Sequence, residues 1–369
     1  MSLRLRSLPR FQERGIIVVI LVLGLLLTVF GGKVRLPLFE RGPDGGRHRV
    51  FEAGPGGGRV PAFVVENKFL NAHNLAQLAK DTSFIAIMAV GASIVIISGG
   101  IDLSAGSLYA LASVVGALVL RRYGPGGPGG ATPAWEGVLL GACACMAVAG
   151  ACGALNGALV VALRVHPFVI TLGTMAILRG VAFVITAGQS VDGFPRALSA
   201  LVRYQFGDGL TLFPLAVMVL VTAAGWIFLA RLSPGRRVYA VGGNEQAARF
   251  SGIRIGRTKL LVYSLAGLSG GVAAFLSIGY YGAATSGDGQ GYELSVIAAA
   301  VVGGASLTGG RGSALGAVLG ALVIQMISSG IVILGIDQNY SQIIIGSVVI
   351  AAVVFDQCNA WLAKKRSIP

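Results

Sequence analysis

The chain has 369 residues, of which 54% are hydrophobic and 12% are charged, and its mean hydropathy is +0.78. A soluble globule of this size needs far more polar surface, so the composition excludes one and indicates a polytopic membrane protein. The formal net charge is +14. We expect this charge to set membrane topology through basic cytoplasmic loops, and we do not expect nucleic acid as a partner.

Apolar runs that could cross a bilayer, which takes about 20 helical residues, recur along the whole chain. Ten such runs lie at about 15–31, 82–98, 104–120, 136–163, 168–187, 211–230, 260–281, 293–306, 312–334 and 340–357. With the N-terminus inside, the cytoplasmic segments hold 16 Lys and Arg residues, and the outer segments hold 11, of which seven lie in residues 32–69. The sequence therefore predicts an all-α, multi-pass membrane protein of about ten transmembrane helices with both termini cytoplasmic.

The longest outer loop, residues 32–69, is rich in glycine, proline and charge. We expect it to be an extracytoplasmic insertion with little regular structure, because it cannot form a packed core of its own. The amphipathic segment 71–81 follows it. We expect this segment to lie at the membrane interface, with Asn71 or Asn74 as its helix cap.

An internal repeat relates two glycine-rich breaks. Residues 99–119, GGIDLSAGSLYALASVVGALV, align without a gap with residues 303–323, GGASLTGGRGSALGAVLGALV, and 11 of the 21 positions are identical. Each copy places a break between two apolar runs, as in membrane proteins whose helices are interrupted at a cavity. Six spans separate the copies, which predicts the same orientation for both. Each break is either an intramembrane element or a tight cytoplasmic turn.

The largest cytoplasmic loop, residues 231–259, contains the sequence NEQAARF, which has the composition of a short helix. Asn244 can cap this helix, Glu245 suits the positive end of its dipole, and Gly252 can end it. We interpret the loop as the place where another protein acts. The alternative is a basic loop that only sets topology.

Polar residues within apolar runs are costly in a membrane and are the candidates for a translocation pathway. At the breaks they either line a passage or, for Asp102 and Ser104, cap the helix that follows. Arg179 lies deep in an apolar run and must face the protein interior or reach an interface. Asn156 can instead bond a neighbouring helix. The candidates are Asp102, Ser104, Ser107, Asn156, Arg179, Ser306 and Thr308.

The sequence contains no catalytic constellation. It has no P-loop of the form GxxxxGK[ST], its three histidines are scattered, and its four cysteines lie in or beside apolar runs, where we expect them to pack structurally. Only Asp102 among the acids falls inside an apolar region, which disfavours an ion-coupled carrier. We therefore expect no enzymatic activity, no metal and no bound cofactor, and an external motor that acts on residues 231–259.

Four motifs resemble the permease subunits of ribose-, xylose- and galactose-type ATP-binding-cassette importers. They are GGIDLSAGSLYAL from residue 99, VHPFVITLGTMAILRG at 165–180, YAVGGNEQAARFSGI at 239–253 and YELSVIAAAVVGGASLTGGRGS at 292–313. The resemblance covers about residues 70–357. It implies a permease of the bacterial inner membrane that pairs with a second copy or a paralogue. It also implies two further partners: a cytoplasmic ATPase that binds ATP and Mg, and a periplasmic binding protein that delivers a monosaccharide.

The resemblance further implies a coupling helix that docks on the ATPase, formed by Gly243, Asn244, Glu245, Ala247, Ala248, Ser251 and Gly252. Two segments depart from the family pattern, namely residues 32–69 and the glycine-proline loop 124–130. Two alternatives stay open. One is a permease of the same superfamily for another solute, such as a branched-chain amino acid or a nucleoside; the other is an ion-coupled secondary carrier.

Overall fold

The computed structural model describes residues 11–41, 47–53, 58–130, 133–206 and 209–366. Residues 1–10, which carry part of the basic N-terminal segment, lie outside this description. The described chain is mostly helical. Its helices are α1 (Phe11–Phe30), α2 (Ala72–Ile97), α3 (Ala105–Arg122), α4 (Ala134–Leu163), α5 (Pro167–Thr186), α6 (Arg196–Val202), α7 (Leu212–Arg231), α8 (Ser233–Gly243), α9 (Glu245–Phe250), α10 (Ile255–Tyr281), α11 (Tyr292–Val302), α12 (Ala314–Ile333) and α13 (Ser341–Arg366).

Seven helices in the described part of the chain are long and apolar enough to cross a membrane: α2, α3, α4, α5, α7, α10 and α12. This confirms the helical, membrane-embedded fold class, while the count of ten spans stays a prediction. The predicted span at 293–306 is wrong in length, because α11 ends at Val302 and has 11 residues. At 1.5 Å per residue it is about 16 Å long, roughly half of the hydrocarbon thickness.

Helix α2 begins ten residues before the span predicted from residue 82. Asn71 is its cap, and the Asn71 side chain accepts a hydrogen bond from the Asn74 amide (2.8 Å). The segment 71–81, expected at the membrane interface, therefore forms the first turns of a continuous 26-residue helix. As a result Lys80 is buried, with its ammonium 2.7 Å from Asp81 and 4.1 Å from the ring centre of Tyr280.

The long helices alternate in direction, so their ends gather at two ends of the bundle. The α8–α9 end holds the short helices α8 and α9 and the residues where α2, α4 and α7 finish. The opposite end holds the residues where α3, α5, α10 and α12 finish. There Leu27 of α1 packs against Ile333 of α12 and Phe69.

Small residues bring the central helices close together. Helices α4 and α10 touch along Gly153 and Gly267, whose backbones approach so closely that a methyl group at either position would overlap the other helix. Such small-residue contacts are a common way to pack helices in a membrane. Large side chains such as Phe84, Tyr263 and Ile324 fill the centre of the bundle around them.

Residues 33–67 form a small β-unit, contrary to the expectation of little regular structure. Three antiparallel pairs make it up: β1 (Lys33–Pro37) with β6 (Phe63–Asn67), β2 (Phe39–Arg41) with β3 (Arg47–Arg49), and β4 (Phe51–Ala53) with β5 (Arg59–Pro61). Their inner ends meet in a ring of backbone hydrogen bonds of 2.9 Å, from Leu38 to Ala62, from Val50 to Leu38 and from Ala62 to Val50.

A 12-residue sequence repeat explains this arrangement. LFERGPDGGRHR at 38–49 and VFEAGPGGGRVP at 50–61 are identical at seven positions. Phe39, Phe51 and Phe63 take equivalent places just after the ring of hydrogen bonds, and each is about half exposed. The ring and the strand pairs satisfy the backbone amides and carbonyls of this glycine-rich, charged sequence.

Candidate coupling and translocation site

Helix α9 confirms the short helix predicted within residues 231–259. The Asn244 side chain caps it by accepting a hydrogen bond from the Ala247 amide (2.9 Å). Gly252 ends it in the left-handed region at φ +79°, and the Ile253 amide bonds back to the Ala248 carbonyl (3.0 Å). This is the glycine-terminated helix end that the sequence indicates.

The two faces of α9 have different surroundings. Ala248 is buried against Val241 and Ile255, so this member of the predicted docking set holds α9 on the bundle. Glu245 is tied to Lys259 of α10 by an ion pair of 2.7 Å. On the outer face Phe250 is 90% exposed, more than any other large apolar side chain in the described part of the chain.

Helix α8, which was not predicted, leads from α7 to α9 and ends against both glycine-rich breaks. Gly242 fits so closely that a methyl group there would overlap the carbonyl of Ile97, the last residue of α2 before the first break, and lie 2.6 Å from the Gly310 amide of the second break. The second break also bonds the end of α2, from the Gly310 amide to the Ile97 carbonyl (2.8 Å). Tyr239 of α8 donates to the Gly312 carbonyl (2.8 Å).

The second break places the start of α12 inside the bundle. Gly225 of α7 packs against both Val90 of α2 and Ala314, the first residue of α12. Val90 is seven residues, or about 10 Å, from the end of α2. Helices α3 and α12, which follow the two breaks, both run from the α8–α9 end to the opposite end. The two repeat copies therefore have the same orientation, in agreement with the prediction.

The first break is closed by a buried network of polar side chains. Asp102 accepts hydrogen bonds from the amide (2.9 Å) and the hydroxyl (2.6 Å) of Ser104, and the Asn156 amide group donates to the same hydroxyl (2.7 Å). Ser107 donates to the Ser104 carbonyl (2.9 Å). Tyr263 donates to the Ile101 carbonyl (3.2 Å). Four predicted candidates thus form one cluster at the start of α3.

The geometry of this cluster differs from helix capping by Asp102. The N-cap of α3 is Ser104, whose side chain makes no capping bond, and the Asp102 carboxylate binds the Ser104 amide in the turn before the helix. Asp102 is 5% exposed, and Ser104, Ser107 and Asn156 are fully buried. In this conformation the four side chains therefore hold α3 to α4 and do not border an open passage.

The second break forms a compact turn. The hydroxyls of Ser306 and Thr308 are 2.9 Å apart, and the Ser306 amide bonds to the Arg311 carbonyl (3.1 Å). Ser306 is buried, whereas Thr308 and Arg311 are exposed at the α8–α9 end. The candidates Ser306 and Thr308 therefore lie apart from the Asp102 cluster, although the first and second breaks touch.

Arg179 belongs to a third place, near the opposite end. Its guanidinium donates from one nitrogen to the carbonyls of Ser286 (2.8 Å) and Asp288 (2.6 Å). Both lie in residues 282–291, a stretch without helix that we call the re-entrant segment. Arg179 thus faces protein backbone, one of the two settings the sequence allowed.

The re-entrant segment enters the bundle between the end of α10 and the start of α11. It first pairs with the loop after α5, where Ala284 and Val191 exchange two hydrogen bonds of 2.9 Å. Deeper in the bundle, Gly289 lies against the Gly106 carbonyl and the Tyr109 ring. Tyr109 is thirteen residues, or about 20 Å, from the end of α3. The segment and α11 together replace the single span predicted there.

Sequence reasoning missed Phe250, Gly242 and the polar residues of the re-entrant segment. Phe250 carries a readable signal, since it is the one large apolar residue in the predicted short helix NEQAARF. Gly242 does not, because one glycine among 56 gives no indication of what lies beside it. Within the described residues, no three His, Cys, Asp or Glu side chains come together as metal ligands.

Comparison with known proteins places these features in a family. Residues 74–353 match the model described as the permease component of the branched-chain amino acid transport system. The ribose import permease protein of Escherichia coli K12 is 38% identical over 290 residues, which are 78% of this chain and 87% of that protein. The D-allose transport system permease protein of the same organism is 35% identical over 291 residues, 78% and 85% of the two chains.

A third relative, the fructose import permease protein of Rhizobium meliloti, is 31% identical over 307 residues, 82% of this chain and 81% of that protein. No solved structure matches the chain. The family match begins after the β-unit and includes both breaks, α8, α9 and the re-entrant segment. The resemblance seen in the four motifs is confirmed, and the chain belongs to this family of transport-system permeases.

Proposed function

We propose that this chain is the transmembrane permease subunit of an ATP-binding-cassette importer that translocates a monosaccharide. The relatives above are named for the import of ribose, allose and fructose, which favours a sugar over the amino acid in the family description. A periplasmic binding protein delivers the sugar, and a separate ATPase binds ATP and Mg and hydrolyses ATP. A second permease copy or a paralogue completes the membrane part, which lies in the bacterial inner membrane.

The observation that carries the coupling mechanism is the position of α8 between α9 and both breaks. In this proposal the α8–α9 end is cytoplasmic, so both chain termini are cytoplasmic, and α9 docks on the ATPase. Gly243, Asn244, Ala247, Ser251 and Gly252 are exposed around α9 and offer the docking surface.

Two contacts pass a movement of α9 on to the bundle. The ion pair of Glu245 with Lys259 ties α9 to α10, and Gly242 packs α8 against the end of α2 and the second break. A shift of the ATPase therefore changes the height of α3 and α12 relative to α2. In this way the paired permeases open alternately to the two sides of the membrane. The Asp102 cluster and Ser306 act as hinges of the moving helices.

Copurification tests the assignment. The tagged chain is extracted mildly from its native membrane, and the bound proteins are identified by mass spectrometry. We expect an ATPase with two nucleotide-binding halves and a periplasmic sugar-binding protein. A binding protein for a branched-chain amino acid would move the chain to that solute, the second candidate given by the family description. A chain that is active alone in an ion gradient would be a secondary carrier.

A further inference from the structure

The re-entrant segment has an open side although it lies at membrane depth. Gly287 and Gln290 are exposed, and so is Gln342 on α13, whose side chain lies beside Gly291. Arg179 lies on the other side of the segment, seven residues or about 10 Å from the end of α5. The exposed part of the segment, which lies between Arg179 on α5 and Gln342 on α13, is therefore polar, and we call it the opening.

Lipid cannot cover such a surface. Backbone outside a helix is tolerated at membrane depth only where it is buried in protein or lines a water-filled cavity, because each unsatisfied polar group in hydrocarbon costs several kcal/mol. Exposed amide side chains such as Gln290 and Gln342 add to this cost. On the neighbouring face of α5, Ile177 and Val184 are exposed and apolar, as lipid contact requires.

The side chains around the opening suit a sugar. A neutral polyol binds through hydrogen bonds to amides and carboxylates, together with contact to an aromatic face. Gln290 and Gln342 offer amides, and Tyr292, which packs on Tyr109 at 5.4 Å between ring centres, offers a ring. Glu293 accepts the Gly291 amide through Oε1 (3.2 Å), while Oε2 is buried and no protein donor in the described residues reaches it.

We propose that the re-entrant segment and Gln342 line the translocation pathway and contact the monosaccharide, with Gln290 as the direct contact. This inference rests on the proposed function and extends it, because it places sugar contact on the re-entrant segment and not within the closed Asp102 cluster, although Gly289 of the segment reaches Gly106 beside that cluster. Arg179 is a positioning residue here, since it holds the Ser286 and Asp288 carbonyls and so presents Gln290 to the opening.

Cysteine accessibility tests whether this surface is wet. The four native cysteines are replaced, Gln290→Cys is introduced, and the complete transporter in proteoliposomes is treated with a charged, membrane-impermeant thiol reagent. Ile177→Cys is the matched control, since it is exposed on the apolar face of α5 (62%). We expect Gln290→Cys to react and Ile177→Cys to stay unlabelled. Ribose, fructose, allose and galactose are then added separately, and one of them should slow the reaction of Gln290→Cys several-fold.

Uptake provides a second readout. Gln290→Leu removes hydrogen-bonding capacity with little change in size, and we expect about three- to tenfold slower sugar uptake at saturating binding protein, as for one lost hydrogen bond. Ile177→Leu should leave uptake unchanged. Copurification of the ATPase should be normal in both variants, because residues 290 and 177 lie far from α9.

The possible outcomes separate this inference from the proposed function. Two results would overturn the inference and leave the function standing. One is sugar uptake by a transporter whose Gln290→Cys stays unlabelled. The other is a disulfide bond between the Gln290→Cys residues of two permease copies on which sugar has no effect. Labelling that is slowed by another solute and not by any sugar would support a pathway here and overturn both the sugar contact and the sugar function.

Discussion

Replacing Phe250 by alanine should weaken docking of the ATPase without unfolding the permease. The ring is 90% exposed on the outer face of α9, so its removal leaves no cavity within this chain. The rest of α9 is unaffected, since Asn244 still caps it and Ala248 still anchors it.

The size of the effect follows from the area that Phe250 can bury. Full burial of a phenylalanine side chain contributes about 1.5–3 kcal/mol. This energy corresponds to about a 10- to 150-fold rise in the Kd for the ATPase. The upper part of this range requires a complementary pocket on the ATPase, as at the central anchor of a protein interface.

The assay measures binding of purified ATPase to the permease in nanodiscs, by surface plasmon resonance or by fluorescence anisotropy. Phe206→Ala is the matched control. Phe206 is also exposed (65%), but it lies in the strand Gln205–Phe206, which pairs with Leu210–Thr211 just before α7 at the opposite end of the bundle. A Kd for Phe250→Ala within about twofold of the control would refute the reasoning that α9 docks through its exposed apolar residue.

Three further predictions, at Gly242, Asp102 and Glu245, test the coupling path. Gly242→Ala should reduce ATP-dependent uptake while the ATPase still copurifies, because the added methyl group overlaps the Ile97 carbonyl and pushes α8 off the breaks; normal uptake would contradict this contact. Asp102→Asn should keep the turn before α3 and the thermal stability, whereas Asp102→Ala should lose about 1 kcal/mol, as for a lost hydrogen bond, measured by unfolding in detergent; equal losses would mean that the negative charge matters. Glu245→Arg should leave the protein in the membrane but abolish ATP-dependent uptake. Adding Lys259→Glu to this variant should partly restore uptake. Failure of this rescue would indicate that Glu245 contacts the ATPase directly.

Local signals in the sequence predicted the helices and several of their ends. Asn71 and Asn244 act as caps, and Gly252 ends α9, because caps depend on a few neighbouring residues. The orientation of the two repeat copies also followed from counting apolar runs. The end of α11 was missed, although Gly303 and Gly304 directly follow Val302 and are a readable stop signal.

Contacts between distant residues could not be read from the sequence. The ring of hydrogen bonds through Leu38, Val50 and Ala62 depends on three hairpins closing together, and a composition rich in glycine and proline concealed the 12-residue repeat that produces them. Likewise the Asp102 cluster depends on Asn156, which lies 54 positions away along the chain. The depth of the re-entrant segment depends on Arg179, more than 100 residues before it.

Sugar uptake by a fully defined system tests the central claim most directly. The chain is reconstituted in liposomes with the ATPase and the binding protein that copurify with it, and radiolabelled ribose, fructose, allose and galactose are supplied in turn. We predict that one sugar accumulates only when ATP and Mg are present on the side of α9 and the binding protein on the other. Uptake that needs no ATPase and follows a proton or sodium gradient would contradict the account.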